Sequence, residues 1–231
     1  MTMSFSQPGH FPPAKAPSHP QGKTVILVNG IPASGKSSIA RQLAQDFTLP
    51  VLTLDGIKEP FMARLGPVDR EQNRMLGRAA YEALWLMVAQ APARCIYVID
   101  AWFGFQPKEV LCRYLSDAGV VRVLEVWNQI SGERAAERYL GRLAQRPPGH
   151  PGAEYLPELR ALAAQAAPMA LGPVLSIDQD QAIDIRRLRR WLQAQGVPRR
   201  QRYFLPVVPG RRVEKRCRGA APNGHSSDLF D

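Results

Sequence analysis

The sequence contains few cysteines and no long apolar run. Its three cysteines have neither a C-x-x-C spacing nor an accompanying histidine pattern, which argues against a zinc site and against a disulfide framework. No apolar stretch reaches the roughly 18 residues that span a bilayer, and the N-terminus has no basic segment followed by an apolar one. We therefore expect a soluble, cytoplasmic protein whose thiols, Cys95, Cys112 and Cys217, are reduced.

The length and composition are typical of one α/β domain. The chain has 231 residues, of which 45% are hydrophobic, enough for a sizeable core but not for a second full domain. Residues 1–22 are rich in Pro, Ser, Gly and His and predict a disordered leader. Residues 196–231 carry half of the formal net charge of +10 and predict a loosely ordered basic tail. The folded domain is therefore expected over residues 23–195.

A glycine-rich motif follows the first apolar run. Residues 30–37 form a complete G-x-x-x-x-G-K-[ST] phosphate loop, and the apolar run Thr24–Val28 leads into it. Glycines let the backbone approach phosphate groups, Lys36 reaches the β- and γ-phosphates, and the Ser37 hydroxyl is a ligand for Mg²⁺. The predicted nucleotide site consists of Gly30, Ile31, Pro32, Ala33, Ser34, Gly35, Lys36, Ser37 and Ser38.

Strand-like and helix-like patterns alternate after this motif. The predicted strands are Thr24–Val28, Val51–Leu54, Cys95–Ile99, Val121–Val126 and Pro173–Ile177. The predicted helices follow Lys36 and then cover Ile57–Leu65, Arg70–Gln90, Gln106–Ala118, Ser131–Gln145, Tyr155–Ala167 and Gln181–Gln195. Five short strands separated by helices indicate an α/β fold with a parallel sheet and helices on both faces.

Two aspartates follow predicted strands. Because ligands bind beyond the carboxyl ends of parallel strands, Asp55 and Asp100 are candidate site residues. Asp100 is suited to hold Mg²⁺ opposite Ser37, and Asp55 is suited to accept a proton from an acceptor hydroxyl. A helix N-cap or turn residue is the alternative interpretation of each aspartate.

Arginines recur every four residues in the predicted helix Ser131–Gln145 and just beyond it. Arg138, Arg142 and Arg146 belong to this series, and the last two have no acidic residue within reach on the same helix. An anionic ligand would relieve their mutual repulsion, although a solvated helix face is the alternative.

The Pro/Gly-rich segment 146–152 permits a hinged lid. The simplest interpretation of His150 within this segment is a structural or exposed residue.

With these residues in place, the chain resembles the small P-loop kinases of the nucleoside monophosphate kinase type, and among them the chloramphenicol phosphotransferase-like and zeta-toxin-like branch. The resemblance covers about Thr24 to Ala194 and is carried by the phosphate loop, the strand ends at Asp55 and Asp100, and the lid ending in residues 146–152. It implies a three-layer α/β/α fold with sheet order 2-3-1-4-5 and a helical lid over about residues 130–152.

The resemblance also implies roles for side chains. Asp55 would be the catalytic base, and the lid arginines Arg138, Arg142 and Arg146 would contact phosphates. The acceptor would bind beside Ile57–Gln90. Its candidate contacts would be Glu59, Arg74, Arg78, Trp102 and Phe103. The D-x-D pattern of some relatives is absent after Leu54, so contact with the acceptor without proton transfer is the alternative role of Asp55.

These observations favour an ATP-dependent kinase that uses Mg²⁺ and phosphorylates a hydroxyl of a small molecule, such as an antibiotic, a sugar or a nucleoside-like compound. The aromatic cluster Trp102–Phe105 favours an acceptor with an apolar or ring-shaped face, with core packing as the competing interpretation. A polynucleotide 5′-hydroxyl kinase, whose basic tail would follow phosphates, is a second hypothesis. A non-catalytic ATP-binding regulatory or nucleic-acid-binding module is the third.

Overall fold

The computed structural model describes residues 22–199. The predicted leader up to Gln21 and the predicted basic tail from Arg200 onward lie outside the described residues. The strands are β1 (Lys23–Asn29), β2 (Val51–Thr53), β3 (Ile96–Asp100), β4 (Val120–Gln129) and β5 (Val174–Asp178). The α-helices are α1 (Lys36–Phe47), α2 (Leu54–Leu65), α3 (Arg70–Gln90), α4 (Lys108–Asp117), α5 (Gly132–Leu140), α6 (Leu156–Gln165) and α7 (Ile185–Ala194).

The five strands form one parallel sheet in the order β2-β3-β1-β4-β5. This confirms the predicted fold class and sheet order. The register sets Asp100, the last residue of β3, beside Val28 of β1 on one side and beside Thr53 of β2 on the other. Because the strands are parallel, the segments that follow β1, β2 and β3 all begin at the same edge of the sheet.

Two apolar cores cover the two faces of the sheet. Alternate residues of β1 enter different cores, with Ile26 and Val28 on one face and Val25 and Leu27 on the other. The first core is completed by α1 and α7, and the second by α3 and α4. The two helical layers thus fix the carboxyl edge of the sheet from both sides.

A third apolar cluster joins the phosphate loop to α5 and α6. It contains Ile31 and Ala33 of the loop, Ala135 and Tyr139 of α5, and Leu159 of α6. The prediction of one helix over Ser131–Gln145 is wrong in its second half, because α5 ends at Leu140 and a separate 3₁₀ turn covers Leu143–Gln145. The break occurs at Gly141, the C-cap residue of α5, which has poor helix propensity.

Several predicted boundaries also shift. Helix α2 begins at Leu54, because the Thr53 hydroxyl accepts a hydrogen bond from Gly56 N and caps the helix. Asp55 therefore lies in the first turn of α2 and not at the end of a strand. Helix α7 begins at Ile185, after the N-cap Asp184, and not at Gln181. In residues 22–199, no helix is both long and apolar enough to cross a membrane.

Candidate active site

The phosphate loop connects β1 to α1 with a backbone that depends on glycine. Gly35 has φ of +84°, and an added Cβ would lie 2.7 Å from Gln179 Oε1. Gly30 has φ of +153°, and an added Cβ would lie 2.4 Å from Ser34 Oγ. Neither position therefore accommodates a side chain, and the loop leads into the N-terminus of α1, where backbone N–H groups attract anions.

A buried polar network fixes the base of this loop. Asn29 donates from Nδ2 to Glu125 Oε1 at 2.8 Å, and its Oδ1 accepts from Gly30 N at 2.8 Å and from Phe103 N at 3.1 Å. Asn128 donates to the backbone oxygen of Asn29 at 3.0 Å. These bonds connect the loop to β4 and to the segment after β3.

The network continues to helix α5. Gln179 follows β5 and donates to Asn128 Oδ1 at 2.8 Å. Arg138 of α5 donates to the side chain of Gln179 at 3.2 Å and to its backbone oxygen at 2.9 Å. Sequence reasoning missed Asn29, Asn128 and Gln179, although each lies at or just after the carboxyl end of an apolar strand.

The two predicted aspartates and Lys36 converge at the carboxyl edge. Asp100 and Asp55 are the two carboxylates whose charges act most strongly on the Lys36 ammonium group, which donates to Ile31 O at 3.3 Å. Asp100 is buried and one of its carboxylate oxygens has no hydrogen-bond partner among the described residues. The Asp55 side chain is 57% exposed.

The electrostatic environment shifts the pKa values of Asp100 and Asp55 in opposite directions. Burial raises the pKa of Asp100, and the nearby Lys36 only partly opposes this rise. Burial also acts to raise the pKa of Asp55, but Lys58 and Lys36 outweigh it and hold that pKa below its ordinary value. Burial lowers the pKa of Lys36 itself, against the opposing effect of Asp100 and Asp55. Asp55 is therefore an ionised carboxylate at neutral pH.

The donor set fits a hard divalent cation. The unpartnered oxygen of the buried Asp100 and the adjacent Ser37 hydroxyl are oxygen ligands of the kind that Mg²⁺ prefers. A bound cation would also favour the ionised form of Asp100, whose burial otherwise disfavours it. Ser37 and Asp100 are thus the residues that would hold Mg²⁺.

The arginines do not share one face. Arg134 pairs with Glu137 on the exposed surface at 2.7 Å, whereas Arg138 joins the network at Gln179. Arg142 and Arg146 lie beyond the end of α5, and both act electrostatically on Lys36. The prediction that this arginine series continues along one helix is therefore wrong, because α5 ends at Leu140, before Arg142 and Arg146.

The acceptor side contributes further polar side chains. Lys58 is almost fully buried and lies 3.4 Å from Asp55 Oδ1 and 3.3 Å from Asn73 Oδ1. Glu59 lies one helical turn beyond Asp55 and accepts a hydrogen bond from His150 Nε2 at 3.1 Å. Asp55, Glu59 and His150 each have a ligating atom within 4.8 Å of the others. A second carboxylate does therefore lie near Asp55, despite the missing D-x-D pattern.

Aromatic residues after β3 mostly serve the core. Phe103 is fully buried in the second core and packs against Tyr81, so the expectation that it contacts an acceptor is wrong. Trp102 is half-buried against Trp127. Phe105 stays partly exposed and meets Tyr81 edge to face. The predicted contacts Arg74 and Arg78 are exposed on α3.

Comparisons with solved structures agree with this architecture. A protein from Chloroflexus aurantiacus J-10-fl, named as a candidate kinase, is 28% identical with a TM-score of 0.65, and the match covers 75% of this chain and 98% of that one. Shikimate kinase from Acinetobacter baumannii, solved in complex with shikimate, is 15% identical with a TM-score of 0.51, over 76% and 93% of the two chains. No protein-family model and no curated protein sequence matches. The chain shares the fold of these solved structures.

Proposed function

We propose that this protein is an ATP-dependent phosphotransferase that transfers the γ-phosphate of ATP to a hydroxyl of a small molecule. One observation carries the proposal. The phosphate loop, Asp100 and Asp55 all lie at the carboxyl edge of three adjacent strands, β1, β3 and β2. The kinase names of the two solved structures that share the fold support the same reaction class.

The side chains divide the work of this reaction. Lys36 and the loop N–H groups bind the phosphates, and Ser37 and Asp100 hold Mg²⁺. Mg²⁺ supplies positive charge that neutralises phosphate oxygens when it is bound. The lid arginines Arg142 and Arg146 add positive charge on the side where ATP and acceptor meet.

Asp55 orients and deprotonates the acceptor. Its exposed, ionised carboxylate accepts the proton of the acceptor hydroxyl while the hydroxyl oxygen bonds to the γ-phosphorus. The bond from that phosphorus to the β,γ-bridging oxygen breaks, and ADP leaves. Lys58, 3.4 Å from Asp55, keeps this carboxylate ionised and fixes its position.

The test is a screen for phosphate transfer from γ-labelled ATP to hydroxyl-bearing metabolites, antibiotics and oligonucleotides. With the acceptor found, Asp55→Asn should lower kcat by about 10²- to 10⁴-fold, while binding of ATP changes little because Asp55 acts mainly in the transition state. Glu71→Gln, at an exposed site on α3, is the matched carboxylate control. Transfer to oligonucleotides alone, or an unchanged rate in Asp55→Asn, would contradict the proposal.

A further inference from the structure

His150 is the most buried member of the polar group on the acceptor side. Its side chain is 3% exposed, although it belongs to a segment of prolines and glycines that connects α5 to α6. This segment is held onto α3 and α5, because Asn73 of α3 donates to Gly149 O and Tyr139 of α5 donates to Pro151 O. Of the structural and exposed positions that its sequence context suggests, the burial of His150 excludes the exposed one.

The two ring nitrogens of His150 have different partners. Nδ1 lies 2.9 Å from the Arg146 guanidinium, and Nε2 lies 3.1 Å from Glu59 Oε1. An arginine can only donate, so Nδ1 must be the acceptor and the ring proton must lie on Nε2, where it is donated to Glu59. The imidazole is therefore neutral, with its tautomer set by Arg146 on one side and Glu59 on the other.

The charged groups around the ring agree with a neutral imidazole. Lys58 and Asp55 face it from α2 together with Glu59, and Arg146 approaches from the preceding segment. The pKa of His150 is lowered to about 4. Burial is the largest cause, and the positive charges of Lys58 and Arg146 add to it. Protonation would also remove the lone pair that accepts the Arg146 hydrogen bond.

Arg146 is held by two contacts. Besides the bond to His150, its guanidinium carbon lies 5.1 Å from the centroid of the Tyr139 ring. The same guanidinium acts electrostatically on Lys36 and on Asp55. An arginine fixed before its ligand arrives loses less side-chain freedom on binding than a mobile one.

We propose that His150 is a positioning residue that orients Arg146 toward the ATP phosphates, with Glu59 fixing the ring from behind. This inference rests on the proposed function, because it assumes that Arg146 contacts phosphate. His150 itself touches neither nucleotide nor acceptor in this account; it acts through Arg146 alone.

The test is a double-mutant cycle read by calorimetric binding of the non-hydrolysable analogue AMP-PNP in the presence of Mg²⁺. Arg146→Ala should weaken binding at least about tenfold, as expected for loss of a charged hydrogen bond. His150→Ala should weaken it about three- to tenfold, the range expected for a freed arginine side chain. The double variant should bind no more weakly than Arg146→Ala, because His150 has no other route to the nucleotide.

Two substitutions separate the two sides of the ring. The amide oxygen of His150→Asn can reach the position of Nδ1 and should restore most of the affinity that His150→Ala loses. The longer His150→Gln places its amide near the position of Nε2, keeps the Glu59 contact and should not restore it. Both retain a polar side chain, so this pair keeps the comparison valid even where the alanine variant fails to fold.

Three results would overturn the inference. They are additive losses in the double variant, equal affinities of the Asn and Gln variants, and unchanged binding by Arg146→Ala. Thermal unfolding of every variant serves as the control for folding. Absence of any binding by the folded wild-type protein would instead contradict the proposed function as a whole, so the two failures are distinguishable.

Discussion

Asn29→Ala removes the side chain on which the base of the phosphate loop depends. This residue is fully buried, and its amide makes one bond to the Glu125 carboxylate and accepts two from the backbone N–H groups of Gly30 and Phe103. Glu125 keeps two other donors, Met169 N and Ala170 N. The two backbone N–H groups lose the acceptor that Asn29 provides.

The cost follows from these three bonds. Each buried N–H left without an acceptor costs about 1–3 kcal/mol, and the lost bond to a carboxylate adds about 1.5–3 kcal/mol. For two such N–H groups and one such bond, we therefore expect Asn29→Ala to lower the free energy of unfolding by about 4–9 kcal/mol, a large part of the roughly 5–15 kcal/mol that stabilises ordinary domains. Equilibrium urea denaturation measures this change.

Two controls sharpen the Asn29 experiment. Gln45→Ala, at an exposed position of α1, should change the unfolding free energy by no more than about 0.5 kcal/mol. Asn29→Asp keeps the oxygen that accepts from Gly30 and Phe103 but sets a carboxylate against Glu125. Its effect on stability therefore reports the Glu125 side of the network, as the lost bond together with the repulsion between the two carboxylates. A loss below about 1 kcal/mol for Asn29→Ala would refute the reasoning that this network fixes the loop.

Two further predictions concern the core and the pH dependence of stability. Phe103→Ala should lower the free energy of unfolding by about 3–5 kcal/mol, because it empties a fully buried site; a stable variant with only a raised KM for the acceptor would restore the contact role that the structure contradicts. His150 has a pKa of about 4 in the folded chain against the ordinary value of 6.5, so the unfolded chain binds the extra proton between these values and stability should fall as pH decreases from 6.5 to 4. Denaturation of the wild-type protein across this range should show the free energy of unfolding falling by up to about 3 kcal/mol, and His150→Asn should not show this fall. Parallel pH profiles of the wild-type protein and His150→Asn would refute the lowered pKa of His150.

The sequence predicted those features that depend on neighbouring residues. Periodic apolar patterns located all five strands to within a few residues, because burial on both faces of a parallel sheet requires nearly continuous apolar runs. The register then places Asp100 between β1 and β2. The end of α5 at Leu140 was not predicted. The four-residue arginine spacing is typical of a helix that continues past Gly141, whereas the weak helix propensity of this glycine favours a helix end there.

Contacts between distant residues could not be predicted in the same way. Asn29 meets Glu125 across 96 residues and His150 meets Glu59 across 91, so each pair depends on strand register and on how a connecting segment packs. No local pattern encodes that His150 is buried, since prolines and glycines around it are typical of exposed loops. The prediction for Phe103 failed for the related reason that an aromatic after a strand packs wherever the adjacent helices leave space.

The most direct test of the account is calorimetric titration of the folded protein with ATP and Mg²⁺, with Lys36→Ala titrated in parallel. Lys36 is the lysine of the phosphate loop, and the charges of Asp100 and Asp55 both act on it. Loss of its charged hydrogen bonds to the phosphates should weaken ATP binding by about 10- to 100-fold. The account predicts saturable binding to the wild-type protein that Lys36→Ala weakens by this factor. No binding at millimolar ATP, or equal binding by both proteins, would contradict it.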